Sequence, residues 1–130
     1  MVSFTKLIEE AREDKEILAV IVYGSYARGE ECRDVDICLV LDEEREVNLV
    51  RKIMDYMKEF DFDFRTFQEL PLYIKIRVLK EGKVLFVRDE DKLYEIAIRT
   101  VREFEDFKPG YKEYIEGVVY GQGKDFEQNR

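Results

Sequence analysis

Apolar and polar positions divide the chain into segments of two different periods. Leu7, Ile8 and Ala11 fall on one face of a helix over residues 4–14, with Ser3 placed to cap its start. Helical spacing then gives way to ILAVIVY, a continuous apolar run rich in β-branched residues. A strand over residues 16–23, central and covered on both faces, is the expectation. Gly24 ends it, and SYARGE reads as a turn leading into a short helix. The segment DVDICLVL predicts a second strand over residues 34–41. Beyond the acidic DEERE, Val47, Val50, Ile53, Met54, Met57 and Phe60 recur at helical spacing, so a helix over residues 44–59 should pack on the sheet.

FDFDFRTF, residues 60–67, alternates aromatic with polar residues and predicts a strand with one covered face. Phe62 and Phe64 point one way, Asp63 and Arg65 the other. Pro71 suits the first turn of a helix ending at Glu81, Gly82 its C-terminal cap, and KVLFVR a short fourth strand. Asp89 or Asp91 can cap a longer helix faced by Leu93, Ile96, Ala97, Val101 and Phe104. Pro109-Gly110 is expected to break that helix. Tyr111, Tyr114, Ile115, Val118 and Val119 would then form a last short helix before a polar tail. This order of elements predicts an α/β (α+β) protein, a small mixed β-sheet flanked by helices. Residues 1–108 would form the main domain and 109–130 a terminal helix and tail.

Composition narrows the possibilities. With 45% apolar and 40% charged residues in 130, the chain has the makings of one globular domain rather than a disordered segment. Its scarcity of amides, three Gln and two Asn, is a bias of proteins from very hot environments. No apolar run approaches the roughly 20 residues that span a bilayer, so no membrane association is expected and a cytoplasmic location is. Two cysteines, Cys32 and Cys38, are too few for a disulfide framework, and without histidine a structural zinc site lacks ligands. Both should be reduced. A net charge of −8 argues against binding extended nucleic acid. One segment departs from that balance: residues 71–88 carry Lys75, Arg77, Lys80, Lys83 and Arg88 against Glu81 alone. It reads either as a solvated helix face or as a surface for a nucleotide or an acidic partner.

Candidate chemistry lies where the first strand ends. Glycine lets backbone approach a phosphate closely, and a serine hydroxyl can donate to an oxygen, so Gly24-Ser25 can hold a phosphate tail. Asp34 and Asp36, separated by one residue in a strand, would share a face, and their mutual repulsion would be relieved by a hard cation such as Mg²⁺. Asp63 stands on the polar face of the next strand. If that strand pairs beside the second, three carboxylates converge; Asp61 shares the face and is the rival. Three carboxylates with a phosphate-binding turn describe metal-assisted transfer of a nucleotidyl group.

GSYARG after an apolar strand, DVD opening the next, and FDFRTFQELPLYIKIRVLKEGKVLF together resemble the minimal nucleotidyltransferases of the DNA polymerase beta superfamily, over residues 17–88. The resemblance implies that Gly24 and Ser25 bind nucleotide phosphates, with Arg28 a further contact. It implies that Asp34, Asp36 and Asp63 hold two Mg²⁺ ions and carry catalysis, with ATP as substrate. It further implies a helical HEPN toxin partner, silenced by AMP transfer to one of its tyrosines. One departure stands out: the loop 26–33 is shorter than is common in that family and ends in Arg33, which could meet a phosphate or pair with Asp34. A module that neutralises its partner by binding alone is the alternative. An enzyme modifying a small hydroxylated molecule is a third, disfavoured by so short a chain. Homo-oligomer formation stays open.

Overall fold

The computed structural model describes residues 2–31 and 34–121, with side chains as far as Phe107. Its elements run α1 (Thr5–Glu13), β1 (Ile17–Tyr23), α2 (Gly24–Ala27), β2 (Asp36–Leu41), α3 (Leu49–Glu59), β3 (Asp63–Thr66), a 3-10 turn (Phe67–Glu69), α4 (Leu72–Glu81), β4 (Lys83–Val87) and α5 (Glu90–Gly121). The four strands form one sheet in the order β3-β2-β1-β4. β1 pairs antiparallel with both β2 and β4, whereas β2 and β3 are parallel. The mixed sheet flanked by helices is the architecture that the alternating periods predict.

β1 is apolar throughout because the sheet is covered on both sides. One side packs Val20, Val22, Ile37, Leu39 and Phe64 against Leu7 and Ala11 of α1 and Tyr56 of α3. The other packs Ile21, Cys38 and Val40 against Phe67, Val78 of α4 and Ile96 of α5. Among the described residues, no helix is long and apolar enough to cross a membrane.

Several boundaries differ from expectation. The N-cap position of α1 is Phe4, not Ser3; Ser3 Oγ accepts only a long bond from Thr5 N at 3.5 Å. α3 begins at Leu49 rather than residue 44, because the side chain of Asn48 caps it, accepting from Arg51 N at 3.1 Å. The acidic residues before it are drawn instead toward α5, Glu43 to Arg99 and Glu44 to Lys92. Val50, Met54 and Met57, expected to pack inward, are exposed, since Tyr56 fills the seam against the sheet. β3 is limited to four residues because Phe60 still closes α3. Asp89, rather than Asp91, caps α5, its Oδ1 accepting from Lys92 N at 3.1 Å.

The break expected at Pro109-Gly110 does not occur, and α5 continues to Gly121 as one helix. A proline inside a helix loses one backbone donor and costs about 3 kcal/mol. The apolar spacing stays in phase through it, however: Leu93, Ala97, Phe104, Phe107, Tyr111, Tyr114 and Val118 keep a single helical repeat. Cys32, Arg33 and the polar tail lie outside the described residues.

Candidate active site

The site begins with a backbone reversal. Tyr23 is still extended, at φ −142° and ψ −173°, and Gly24 then takes φ +74°, a left-handed conformation that side chains disfavour. The chain passes at once into the single turn of α2. Because β1 and β2 are antiparallel with Tyr23 opposite Asp36, this reversal lies beside the start of β2. A β-carbon on Gly24 would overlap Oδ2 of Asp36 and stand 3.3 Å from its Cγ. Glycine here makes room for a carboxylate as well as supplying the turn.

Asp36 is in turn the direct partner of Asp63 across the parallel β2–β3 pair, so both side chains rise from the same sheet face. Asp61, the rival, precedes β3, is exposed, and is not a partner in that register. Asp34 differs from expectation: it is exposed and lies ahead of β2, not within it. The reason is that ladder bonding on the β3 side starts at Val35, whose carbonyl accepts from Asp63 N at 2.9 Å. The structure thus joins Gly24, Asp36 and Asp63 and leaves Asp34 at their edge.

Burial holds the Asp36 carboxyl above its usual value, and the charge of Asp63, a hydrogen bond shared with it, and the charge of Asp34 push the same way; Arg65 opposes them. Tyr23, half-buried over the same face, has its phenol raised, first by burial and then by Cys38 and Asp36. Arg65 Nη1 stands 3.5 Å from Asp63 Oδ1. Arg28 is engaged elsewhere: its Nε meets Glu30 Oε2 at 3.0 Å and its Nη1 meets Glu81 Oε2 at 3.5 Å, tying α2 to α4. Tyr23 and Arg65 are the neighbours that motif reasoning passed over. The alternation of FDFDFRTF had already put Arg65 on the face of Asp63.

Among the described residues, no group of three or more carboxylate or thiol side chains is arranged as a ready metal site. The donor chemistry nevertheless fits a hard divalent cation. Two carboxylates on adjacent strands are close enough to share a proton, and magnesium takes one or two carboxylates with waters and phosphate oxygens. The site lies open on the sheet face. A charged cleft of about 550 Å³, lined by Lys15, Asp42, Glu44, Arg45, Arg88 and Lys92, is at the other end of β1 and β2. An apolar groove of about 380 Å³ runs between α4, β4 and α5. Neither is lined by Asp36 or Asp63.

On this small mixed sheet a Gly-Ser reversal is set against paired strand carboxylates, the arrangement expected of a nucleotidyltransferase. Residues 5–91 match the family model described as polymerase beta, nucleotidyltransferase, and the chain belongs to that family. A Methanocaldococcus jannaschii protein assigned as a protein adenylyltransferase is 33% identical over 100 residues, covering 75% of this chain and 77% of the relative. Among solved structures, a toxin–antitoxin complex of MntA and HpeT superposes with a TM-score of 0.70 at 18% identity, covering 92% of this chain and 99% of the other. The complex of a tri-AMPylated Shewanella oneidensis HEPN toxin with an MNT antitoxin gives 0.59 at 16% identity, over 89% and 92% of the two chains. A toxin–antitoxin structure with AMP-PNP gives 0.67 at 18%, over 91% and 99%. At these identities the solved structures establish the shared fold.

Proposed function

We propose that this chain is a magnesium-dependent adenylyltransferase that moves AMP from ATP to a hydroxyl, a tyrosine of a HEPN-family toxin, and so acts as that toxin's antitoxin. The observation that carries this reading is the convergence of Gly24, Asp36 and Asp63. The relative assigned as a protein adenylyltransferase and the resemblance to an MNT antitoxin in complex with an AMPylated HEPN toxin support AMP transfer to a protein and a HEPN partner; the tyrosine acceptor rests on the family resemblance.

Asp36 and Asp63 would hold magnesium, with Asp34 beside them. Bound there, the metal neutralises triphosphate charge and favours in-line displacement. Gly24 and Ser25 bind phosphate oxygens. Asp63 takes the proton of the acceptor hydroxyl, the acceptor oxygen attacks the α-phosphorus, and pyrophosphate leaves. The chain has no histidine, and the Asp63 carboxylate serves as the base. Arg28 would reach a phosphate only by leaving Glu30 and Glu81, and ranks below the others.

The test is the intact mass of the cognate HEPN protein after incubation with this chain, Mg²⁺ and each nucleoside triphosphate, beside an Asp34→Ala/Asp36→Ala control. Gain of adenylyl units from ATP, lost in the control, is the expected result. A second reading, inhibition by contact alone, is favoured by the position of Asp34 outside β2. A stable complex that inhibits the toxin without mass gain would select it.

A further inference from the structure

In-line transfer fixes the direction from which an acceptor arrives. Attack on phosphorus comes from the side opposite the leaving group, so the incoming hydroxyl and the departing pyrophosphate stand on opposite flanks of the α-phosphorus. The sheet is laid out in that sense. The Gly24-Ser25 turn follows β1, Asp36 lies in β2, and Asp63 lies in β3, the terminal strand on that side. Leaving group, phosphorus and nucleophile therefore succeed one another across neighbouring strands about 4.8 Å apart, and the acceptor enters over β3.

Two cations with no role so far stand on that flank. Arg65 lies two residues beyond Asp63 and is paired in register with Cys38, so its guanidinium rises from the face of the two aspartates. Its side chain is 58% exposed, and its ion pair among the described residues is the 3.5 Å approach of Nη1 to Asp63, which leaves other N–H donors of the fork for a ligand. Lys75 of α4 stands behind it, its Nζ 5.6 Å from the centroid of the Phe67 ring, and its charge opposes the upward push of burial on the Cys38 thiol. The neighbouring basic groups are occupied. Arg28 and Arg77 share Glu81, and Arg88 donates to backbone carbonyls around the end of α1. In a chain of net charge −8, two cations at the acceptor's entrance call for an anion on the incoming molecule.

We propose that Arg65, with Lys75 behind it, is the acceptor-docking surface and recognises a protein segment that carries a carboxylate side chain beside the hydroxyl to be modified. This inference rests on the adenylyltransferase reading above and deepens it by naming the chemistry of the acceptor. A guanidinium takes a carboxylate in bidentate fashion, and an ammonium adds a point charge. The Cα atoms of Asp63 and Arg65 are roughly 7 Å apart along the strand, so hydroxyl and carboxylate are near neighbours on the acceptor. In the transfer step the acceptor oxygen bonds to the α-phosphorus as the bond from that phosphorus to the oxygen bridging to the β-phosphate breaks. The electron pair leaves on pyrophosphate toward the Gly24-Ser25 turn, and the acceptor's proton goes to Asp63. Arg65 touches none of these atoms; it is a positioning residue. The basic segment recognised in the sequence divides accordingly: Lys75 meets the acidic partner, while Arg77 and Arg88 serve the fold.

The experiment is the initial rate of AMP transfer by the full chain to the cognate HEPN protein, with acceptor varied at saturating ATP and Mg²⁺, for wild type, Arg65→Ala and Lys75→Ala. A second acceptor has the carboxylates beside its modified residue changed to amides. Arg65→Ala should raise the KM for the natural acceptor about fivefold, with kcat and the KM for ATP within about twofold, and Lys75→Ala should raise it less. The rise should shrink as salt is added. The amide acceptor should cost wild type about the same fivefold and cost Arg65→Ala nothing further, a coupling that a structural role of Arg65 does not produce. An unchanged acceptor KM in Arg65→Ala, a fall confined to kcat, losses that simply add, or a modified residue with no carboxylate beside it overturns the inference alone. Absence of transfer by wild type overturns the adenylyltransferase reading with it.

Discussion

Gly24 lies so close to the Asp36 carboxylate that any β-carbon at position 24 would overlap Oδ2. Gly29 offers a natural control, because it too has a positive φ, +77°, but nothing within 4 Å of where a β-carbon would stand. Gly24→Ala and Gly29→Ala should each lose about 1–2 kcal/mol from left-handed strain. Only Gly24→Ala displaces a carboxylate of the site, and AMP transfer should fall on the order of 100-fold. Urea melts and mass-spectrometric transfer assays on both variants separate strain from displacement. Equal transfer by the two would show that the contact does not matter to the chemistry.

Asp63 is paired with Asp36 in β3 whereas Asp61 is exposed ahead of that strand, which makes the two a direct test of the parallel β2–β3 pairing. Asp63→Asn should reduce transfer by about 100-fold or more, the range for removing a general base, with the fold retained. Asp61→Asn should stay within a few-fold of wild type, roughly the scale of an exposed substitution. Initial rates at saturating ATP would check this; the reverse ranking would move the base to Asp61.

Glu10 of α1 and Glu59 of α3 supply a pH dependence away from the site. Burial raises the Glu10 carboxyl, and the charge of Glu59 with a hydrogen bond to it adds to the shift. Unfolded Glu10 titrates near its ordinary 4.5, so between that value and the raised folded value the native state holds more protons. Stability from this group therefore falls as pH rises through that window, and its cost is fully present at neutral pH. Glu10→Gln should have the higher thermal midpoint at pH 7, with the gap closing as pH falls below 4.5. A gap that persists in acid would assign the gain to packing instead.

Arg88 is a structural cation, despite its place in the basic segment. It donates to the carbonyls of Ala11 at 2.8 Å, Arg12 at 2.9 Å, Asp14 at 3.1 Å and Ile17 at 3.0 Å, closing the chain between α1 and β1. Arg88→Ala should cost about 2–3 kcal/mol, because charged hydrogen bonds to four carbonyls are lost. Arg88→Lys should recover only part, since an ammonium cannot span the same carbonyls. Chemical denaturation reads this directly. Loss of ATP affinity at unchanged stability would place Arg88 in the ligand surface instead.

Local pattern alone determined most of the elements of this protein. A continuous apolar run must be covered on both faces, alternation in FDFDFRTF must divide aromatic from polar side chains, and Gly24 had to end the first strand. Because these are short-range constraints, the Gly-Ser turn and the candidate carboxylates were legible before any fold was known. What the tertiary structure decided is how separate segments meet. Register in the β2–β3 ladder set Asp63, not Asp61, opposite Asp36 and put Asp34 just outside the strand. Docking of α3 through Tyr56 turned Val50, Met54 and Met57 outward, though their spacing fits a buried face equally well. Pairing with Glu30 and Glu81 drew Arg28 away, and β3 raised Arg65 beside the carboxylates. Period fixes which residues share a face of one element, but only packing between elements selects the face that meets the core and the charges that meet each other.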